Sequence, residues 1–257
     1  MKTIIANWKM NVGVRESVAL ARGTLLTVRG RKVIPELIIC PPFVALGEVR
    51  KVVARSAAKL GAQNMSWERK GAMTGEISSR MLQELNVTHA IIGHSERRHK
   101  LGETDDMVHQ KIEHAISEKI IPILCVGETA EERKAGEARE VVKTQIAKAF
   151  SGIRLHDSDL VYVAYEPVWA IGTGDAAEIG DVLEMHEYIR TILGEVFSLL
   201  PEENLRVLYG GSVDGENAYQ LMRESQVDGV LVGGASVKLN QFSKIVDASV
   251  DVLEAQQ

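Results

Sequence analysis

The 257-residue sequence has little of what marks membrane, secreted or nucleic-acid-binding proteins. No apolar run approaches the roughly 18 residues of a membrane span, and the apolar stretch before Asn7 is too short for the core of a signal peptide. The net charge is -5 and the basic residues are scattered, which argues against a nucleic-acid partner. We therefore expect a cytoplasmic protein with neither a membrane nor a nucleic-acid partner.

Cysteine is scarce, and its two positions carry no sign of a disulfide framework. Cys40 and Cys125 each lie inside an apolar run, where a buried, reduced thiol is expected. Nothing in either run indicates a nucleophile. The composition, 45% hydrophobic and 25% charged, is that of a globular chain and excludes collagen-like and disordered classes.

Short apolar runs recur along the whole chain. Most are apolar on consecutive residues, the pattern of strands that are covered on both faces in a parallel sheet. The runs cover residues 3–9, 36–42, 59–65, 89–94, 121–128, 160–167, 206–212 and 229–236.

Amphipathic helical patterns separate these runs. The clearest covers residues 179–197, with apolar residues at three-and-four spacing. Thr104 precedes a second helical pattern, Thr129 and Glu132 have the spacing of a capping box, and a further pattern follows Asn240.

Eight strands alternating with helices, at about 32 residues per unit, predict an α/β fold of the (β/α)8 TIM-barrel type with residues 1–257 as a single domain. The alternative is an open, doubly wound sheet. That fold calls for a glycine fingerprint after the first strand, and the string NWKMN supplies none, which favours the barrel.

In a barrel of this type, chemistry collects at the carboxyl ends of the strands, and several polar residues follow the predicted strands here. Asn7 and Lys9 are expected on one strand, two residues apart and facing the same side. His94 opens a helical string, so backbone N–H groups can point at its ring and disfavour the imidazolium form. Glu166 ends a strand with the reach of a general base, although a salt-bridged rim carboxylate is the plain alternative.

Six strings appear in order over the chain, each after a different predicted strand: NWKMN, GHSERR, CVGE, AYEPVWAIGTG, YGGSV and LVGGAS. Together they resemble the triosephosphate isomerase family over the whole length. The resemblance implies an isomerase of glycolysis and gluconeogenesis that interconverts dihydroxyacetone phosphate and D-glyceraldehyde 3-phosphate through an enediolate. It implies no metal and no organic cofactor.

The resemblance also assigns roles to individual residues. Glu166 would remove the proton next to the carbonyl, a neutral His94 would donate to the carbonyl oxygen, and Lys9 would stabilise negative charge. The substrate-binding residues it implies are Asn7, Lys9, Gly172, Ser212, Gly233 and Gly234. Without the resemblance, a lysine is usually a surface charge, a histidine usually has a structural role, and a pair of glycines usually marks a turn.

Further residues are assigned by the resemblance only. Glu96 would orient charged groups near the site, and a loop lid over the substrate would be latched by the side chains of Glu128, Trp169 and Tyr209. Asp175, at the far hinge of that lid, departs from the lysine that the family usually has there.

The stretch of residues 63–77 reads as a long loop with exposed Met65, Trp67 and Met73, which calls for a partner surface. The resemblance implies a homodimer in which Thr74 contacts the second subunit. A loop packed on its own subunit is the alternative.

Two other functions remain open from the sequence. A barrel aldolase acting on a phosphosugar would need a Schiff-base lysine on an interior strand, whereas the sixth strand ends in Glu166. A catalytically silent barrel used for binding would be expected to have lost a catalytic residue, whereas the residues that the resemblance calls for are present.

Overall fold

A computed structural model describes residues 1–156, 159–171, 177–198 and 200–256. Eight parallel strands pair in chain order, and β1 also pairs with β8, which closes the sheet into a barrel. The strands are β1 (Thr3–Asn7), β2 (Glu36–Cys40), β3 (Lys59–Ala62), β4 (His89–Ile92), β5 (Ile121–Val126), β6 (Val161–Tyr165), β7 (Leu205–Tyr209) and β8 (Gly229–Val232).

Helices connect the strands and form the outer layer of the molecule. They are α1 (Val14–Val28), α2 (Leu46–Val53), α3 (Ser79–Glu84), α4 (Ser95–Leu101), α5 (Asp105–Ser117), α6 (Ala130–Lys134), α7 (Ala138–Ala149), α8 (Ile179–Val196), α9 (Ala218–Met222) and α10 (Leu239–Ala255). Among the described residues, no helix is both long and apolar enough to cross a membrane.

The barrel prediction is confirmed, and pairing of β1 with β8 excludes the open, doubly wound sheet. Each predicted run begins within one residue of its strand but extends two to four residues past the strand's end. The predicted runs are longer because each includes the first residues of the loop after the strand. These residues follow the strand directly in the sequence but are no longer paired in the sheet.

The helix starts have the local chemistry that the sequence predicts. The Thr104 hydroxyl accepts from the N–H of Met107 at the start of α5, and Thr129 and Glu132 form the predicted capping box of α6. The prediction for α10 is shifted, because this helix begins at Leu239 and includes Asn240.

Two apolar layers result from the alternation of side chains along the strands. One fills the space between the sheet and the helices, and the other fills the barrel. Cys40 and Cys125 are unpaired and point into the barrel, where burial raises the pKa of both thiols. Both are therefore inert at neutral pH, as expected of buried cysteines.

Polar side chains close the amino-terminal end of the barrel. Glu36 accepts from Thr3, at 3.0 Å, and from the Tyr162 hydroxyl, at 2.6 Å, and it pairs with Lys59 at 2.5 Å. Burial would raise the pKa of Glu36, but these donors outweigh it and lower that pKa. His89 lies beside this cluster, fully buried, and burial lowers its pKa to about 4.

Candidate active site

A cavity of about 970 Å³ opens at the carboxyl ends of the strands. It brings together residues from both halves of the chain that sequence analysis singled out. These are Asn7, Lys9, His94, Glu96, Glu166, Ser212, Gly233 and Gly234. Gly172 and the departure at Asp175 lie outside the described residues.

The expectation that Asn7 and Lys9 share a strand is wrong. β1 ends at Asn7, and Lys9 lies in the following turn with a left-handed φ of 51°. The turn is held because the N–H of Lys9 donates to Oδ1 of Asn7, at 3.2 Å, and Nε2 of Gln63 donates to the carbonyl of Lys9, at 2.9 Å. A lysine in this backbone region is uncommon and indicates a constrained position. Sequence analysis gave Gln63 no role here, because no spacing links it to Lys9.

Lys9 is anchored on Glu96 across the cavity. Its Nζ lies 2.8 Å from Oε1 of Glu96. Partial burial would raise the pKa of Glu96, but the nearby ammonium of Lys9 outweighs that effect and lowers it. The ion pair therefore holds the ammonium of Lys9 at the cavity wall, in contact with one oxygen of the Glu96 carboxylate.

His94 is the N-cap residue of α4, and its Nδ1 accepts from the backbone N–H of Glu96 at 3.2 Å. An Nδ1 that accepts a hydrogen bond carries no proton, so the remaining ring proton of neutral His94 is on Nε2. The helix start thus fixes the tautomer and turns an N–H toward the cavity.

Glu166 follows β6 directly and is 2% exposed. Its Oε2 accepts from the N–H of Ser95 at 2.9 Å, whereas its Oε1 has no hydrogen-bond partner in the described part of the chain. Nε2 of His94 lies 3.1 Å from that oxygen, but without the alignment of a hydrogen bond. One carboxylate oxygen is therefore held and the other is available beside the imidazole.

Glycines make room for the Glu166 segment. A Cβ at Gly127 would lie 1.8 Å from the carbonyl oxygen of Glu166, and one at Gly210 would lie 2.8 Å from its Cγ. The need for Gly127 was not visible in the sequence, because it arises from strand pairing between β5 and β6.

The segments after β7 and β8 face each other across the cavity, at Ser212 and at Gly233 and Gly234. A Cβ at Gly233 would meet Cε of Lys9 at 3.1 Å. The glycine thus lets the lysine stem lie close to exposed backbone, an arrangement suited to binding a phosphate in barrels of this type.

Glu128, fully buried, lies below the segment that follows β6. It accepts from Nε1 of Trp169 at 2.9 Å and from the Tyr165 hydroxyl at 3.1 Å. The guanidinium of Arg133 lies 4.7 Å from the centre of the Trp169 ring. Tyr209 is also buried, which raises the pKa of its hydroxyl, and this hydroxyl has no hydrogen-bond partner among the described residues.

A buried ion cluster supports the His94 segment, and sequence analysis did not find it. Glu103 accepts from the N–H of Gly93 at 3.1 Å, from Lys111 at 2.7 Å and from Arg97 at 2.5 Å. Burial would raise the pKa of Glu103, but the two cations outweigh it and lower that pKa. The only sequence signal was a lysine on the apolar face of α5.

The loop of residues 63–77 differs in part from its prediction. Met65 is fully buried rather than exposed, and Trp67 and Met73 are half-buried. Thr74 is exposed and does not line the cavity. The loop folds back through the N–H of Ser66, which donates to the carbonyl of Ile77, so Met65 packs on its own subunit.

In the described residues, no group of three or more histidine, cysteine or carboxylate side chains is arranged to hold a metal ion. The polar groups of the cavity are instead those of acid–base chemistry: a carboxylate, an imidazole and an ammonium.

Fold and site together define a (β/α)8-barrel enzyme with an acid–base centre beside a phosphate-type backbone cradle. The family model described as triosephosphate isomerase matches residues 2–249. The chain is 46% identical to the triosephosphate isomerase of Alkaliphilus metalliredigens over 247 residues, 96% of this chain and 99% of that protein. It is 45% identical to the triosephosphate isomerase of Aquifex aeolicus over 245 residues, 95% of this chain and 98% of that one. The chain belongs to the triosephosphate isomerase family.

Proposed function

We propose that this chain interconverts dihydroxyacetone phosphate and D-glyceraldehyde 3-phosphate, with Glu166 as the base and His94 as the electrophile. Membership of the family supports the reaction. The observation that carries the residue assignment is the approach of His94 Nε2 to within 3.1 Å of Glu166 Oε1 inside one cavity.

In the proposed first step, the free Oε1 of Glu166 accepts the proton from the carbon next to the substrate carbonyl. The electron pair of the broken C–H bond forms the carbon–carbon double bond of an enediolate, and negative charge moves to the carbonyl oxygen. The N–H of His94 donates to that oxygen. In the second step, His94 passes the hydroxyl proton of the first carbon to the former carbonyl oxygen, and Glu166 returns its proton to the carbon that bears that oxygen. The carbonyl thus moves to the neighbouring carbon, and no atom is gained or lost.

Lys9 contributes charge rather than proton transfer. Its ammonium, held by Glu96, faces an intermediate that is more negative than the substrate, so its attraction is strongest where the barrier is highest. Asn7 supports this arrangement because its side chain fixes the turn that carries Lys9.

Phosphate binding is proposed for the backbone at Ser212, Gly233, Gly234 and Gly172, and lid latching for the side chains of Glu128, Trp169 and Tyr209. A lid closed over the phosphate would exclude water from the enediolate. The bonds from Trp169 and Tyr165 to Glu128 support a latch at the near end of that segment.

The test is a coupled assay in which the purified chain must form glyceraldehyde 3-phosphate from dihydroxyacetone phosphate, and the reverse, in the presence of a chelator. Borohydride added with dihydroxyacetone phosphate checks the aldolase alternative, since a trapped Schiff base would add the triose mass to a lysine. Covalent trapping without isomerase turnover would favour the aldolase, and an inactive wild type without trapping would favour a binding protein.

We also propose a cytoplasmic homodimer in which residues 1–257 form one domain. Large apolar side chains remain exposed on the segments that follow β1 to β4, among them Met10 (96%), Val44 (77%), Met81 (54%) and Leu101 (67%). They share one side of the barrel with Thr74, which supports a partner surface there.

Sedimentation tests the dimer. Met81→Asp should dissociate it, whereas Leu26→Asp, at another exposed apolar residue on α1, should not. A single 28.2 kDa species of wild type at micromolar concentration would contradict the proposal.

A further inference from the structure

The two backbone segments proposed to hold phosphate come from different strands, and a side chain on α10 joins them. Ser212 lies in the loop after β7, whereas Gly233 and Gly234 lead through a 3-10 turn into α10. The N–H of Gly215, in the first segment, donates to Oε1 of Gln241, in the first turn of α10, at 3.1 Å.

Gln241 is itself fixed. Its backbone N–H donates to the carbonyl of Lys238 at 2.9 Å, so the amide rests on the start of a 17-residue helix. That start is tied to the barrel, because Oγ of Ser236 lies 3.3 Å from the carbonyl oxygen of Asn7 on β1 and donates to it.

Inside the first segment, the restraint passes from Gly215 to Ser212. Oδ1 of Asp214 accepts from the N–H of Asn217 at 3.1 Å, and Oδ1 of Asn217 accepts from the N–H of Asp214 at 3.0 Å. Nδ2 of Asn217 then donates to the carbonyl of Ser212 at 3.0 Å. The loop is thus a small rigid unit whose tip is held by Gln241.

The approach of the loop to α10 is close. A Cβ at Gly215 would lie 2.6 Å from Cβ of Lys244 and 3.1 Å from Oε1 of Gln241. A second link, the ion pair of Lys244 with Glu216 at 2.7 Å, is solvent-exposed. An exposed ion pair of this kind contributes little to holding the loop in place, whereas the partly buried hydrogen bond from Gly215 to the Gln241 side chain has a fixed geometry.

We propose that Gln241 is a positioning residue for phosphate: it sets the distance between the segment of Ser212 and the segment of Gly233. The inference rests on the proposed function, because it takes phosphate as the group bound there. It predicts that loss of the Gln241 acceptor weakens phosphate binding while leaving the acid–base centre intact.

The test compares Gln241→Met, which keeps length and loses the acceptor, with Lys244→Met on the same helix. We expect Gln241→Met to raise both the KM for glyceraldehyde 3-phosphate and the Ki of inorganic phosphate by about fivefold, the factor of one typical hydrogen bond. The kcat/KM for D-glyceraldehyde, which lacks phosphate, should stay unchanged, and Lys244→Met should change none of these values.

Equal losses on the phosphorylated and unphosphorylated substrates would overturn the inference, as would an unchanged phosphate Ki or the same rise in Lys244→Met. If Gln241→Met folds poorly, Gln241→Asn, whose amide is too short to reach Gly215, must give the same phosphate-specific loss. If the wild type shows no isomerase turnover, the proposed function is refuted instead. Phosphate binding to the wild type and to Gln241→Met would then be measured directly by calorimetry in place of the Ki.

Discussion

Nε2 of His94 lies 3.1 Å from Oε1 of Glu166, while the other oxygen of Glu166 is held by the N–H of Ser95. The two groups follow different strands, β4 and β6, and are 72 positions apart in the chain (166 − 94). The pairing of both strands with β5 brings the two groups together, and their chemistry can be tested one side chain at a time.

Glu166→Gln should lower kcat by about a hundred- to ten-thousandfold, because an amide cannot accept the proton that a positioned carboxylate takes. The steady-state isomerase assay measures the loss. Glu254→Gln, an exposed carboxylate at the end of α10, is the matched control and should retain the wild-type rate. Near-normal turnover by Glu166→Gln would refute the base assignment.

Lys9→Gln should lower kcat/KM by about a hundred- to a thousandfold, the usual scale for one preorganised electrostatic contact to a transition state. Lys143→Gln, an exposed lysine on α7, should be silent. The decisive measurement is kcat/KM at low ionic strength, and equal, small effects of both variants would mean that Lys9 is only a surface charge.

Stability should fall as the pH falls from 6.5 to 5. Burial lowers the pKa of His89 and of His186 to about 4, below the ordinary value near 6.5. The unfolded chain therefore binds more protons in this window, and the stabilisation, complete above pH 6.5, is lost by about 1 to 2 kcal/mol per histidine at pH 5. Urea unfolding at both pH values measures it.

His89→Gln should reduce that pH dependence, because one of the two buried rings no longer titrates. The exposed His156 supplies the control, since His156→Gln should keep the wild-type slope. A slope that is the same in His89→Gln and in wild type would contradict the assignment.

Lys111→Met should destabilise the fold by about 3 kcal/mol, because Glu103 would remain buried with Arg97 as its only charged partner. Lys148→Met, which removes an exposed partner of Asp105, should cost less than about 1 kcal/mol. Free energies of unfolding from urea titration distinguish the two, and equal costs would show that the Glu103 cluster contributes no more to the stability of the fold than an exposed ion pair does.

The sequence was sufficient for the barrel and for the strand ends that carry His94 and Glu166, because consecutive apolar residues and strand-end polar residues are local patterns. It was insufficient for the turn at Lys9, whose left-handed backbone depends on Asn7 and Gln63. It was insufficient for Glu103, since a buried ion pair leaves no periodic trace.

The same distinction explains the error at Met65. An apolar residue in a loop is exposed only if no other part of the chain covers it. Here the hydrogen bond from the N–H of Ser66 folds the loop back on the barrel, and Met65 is buried. Contacts between distant segments decide such positions, and one sequence does not display them.

Pairing of β1 with β8 has a consequence for biosynthesis. β1 finds one of its two neighbours only when β8 has been made, so the growing barrel carries two open sheet edges until then. Lys9 and Gly233, which lie side by side in the finished barrel, are among the earliest and the latest parts of the catalytic centre to be translated. A chain released before β8 would hold its base and imidazole but have no complete anion cradle.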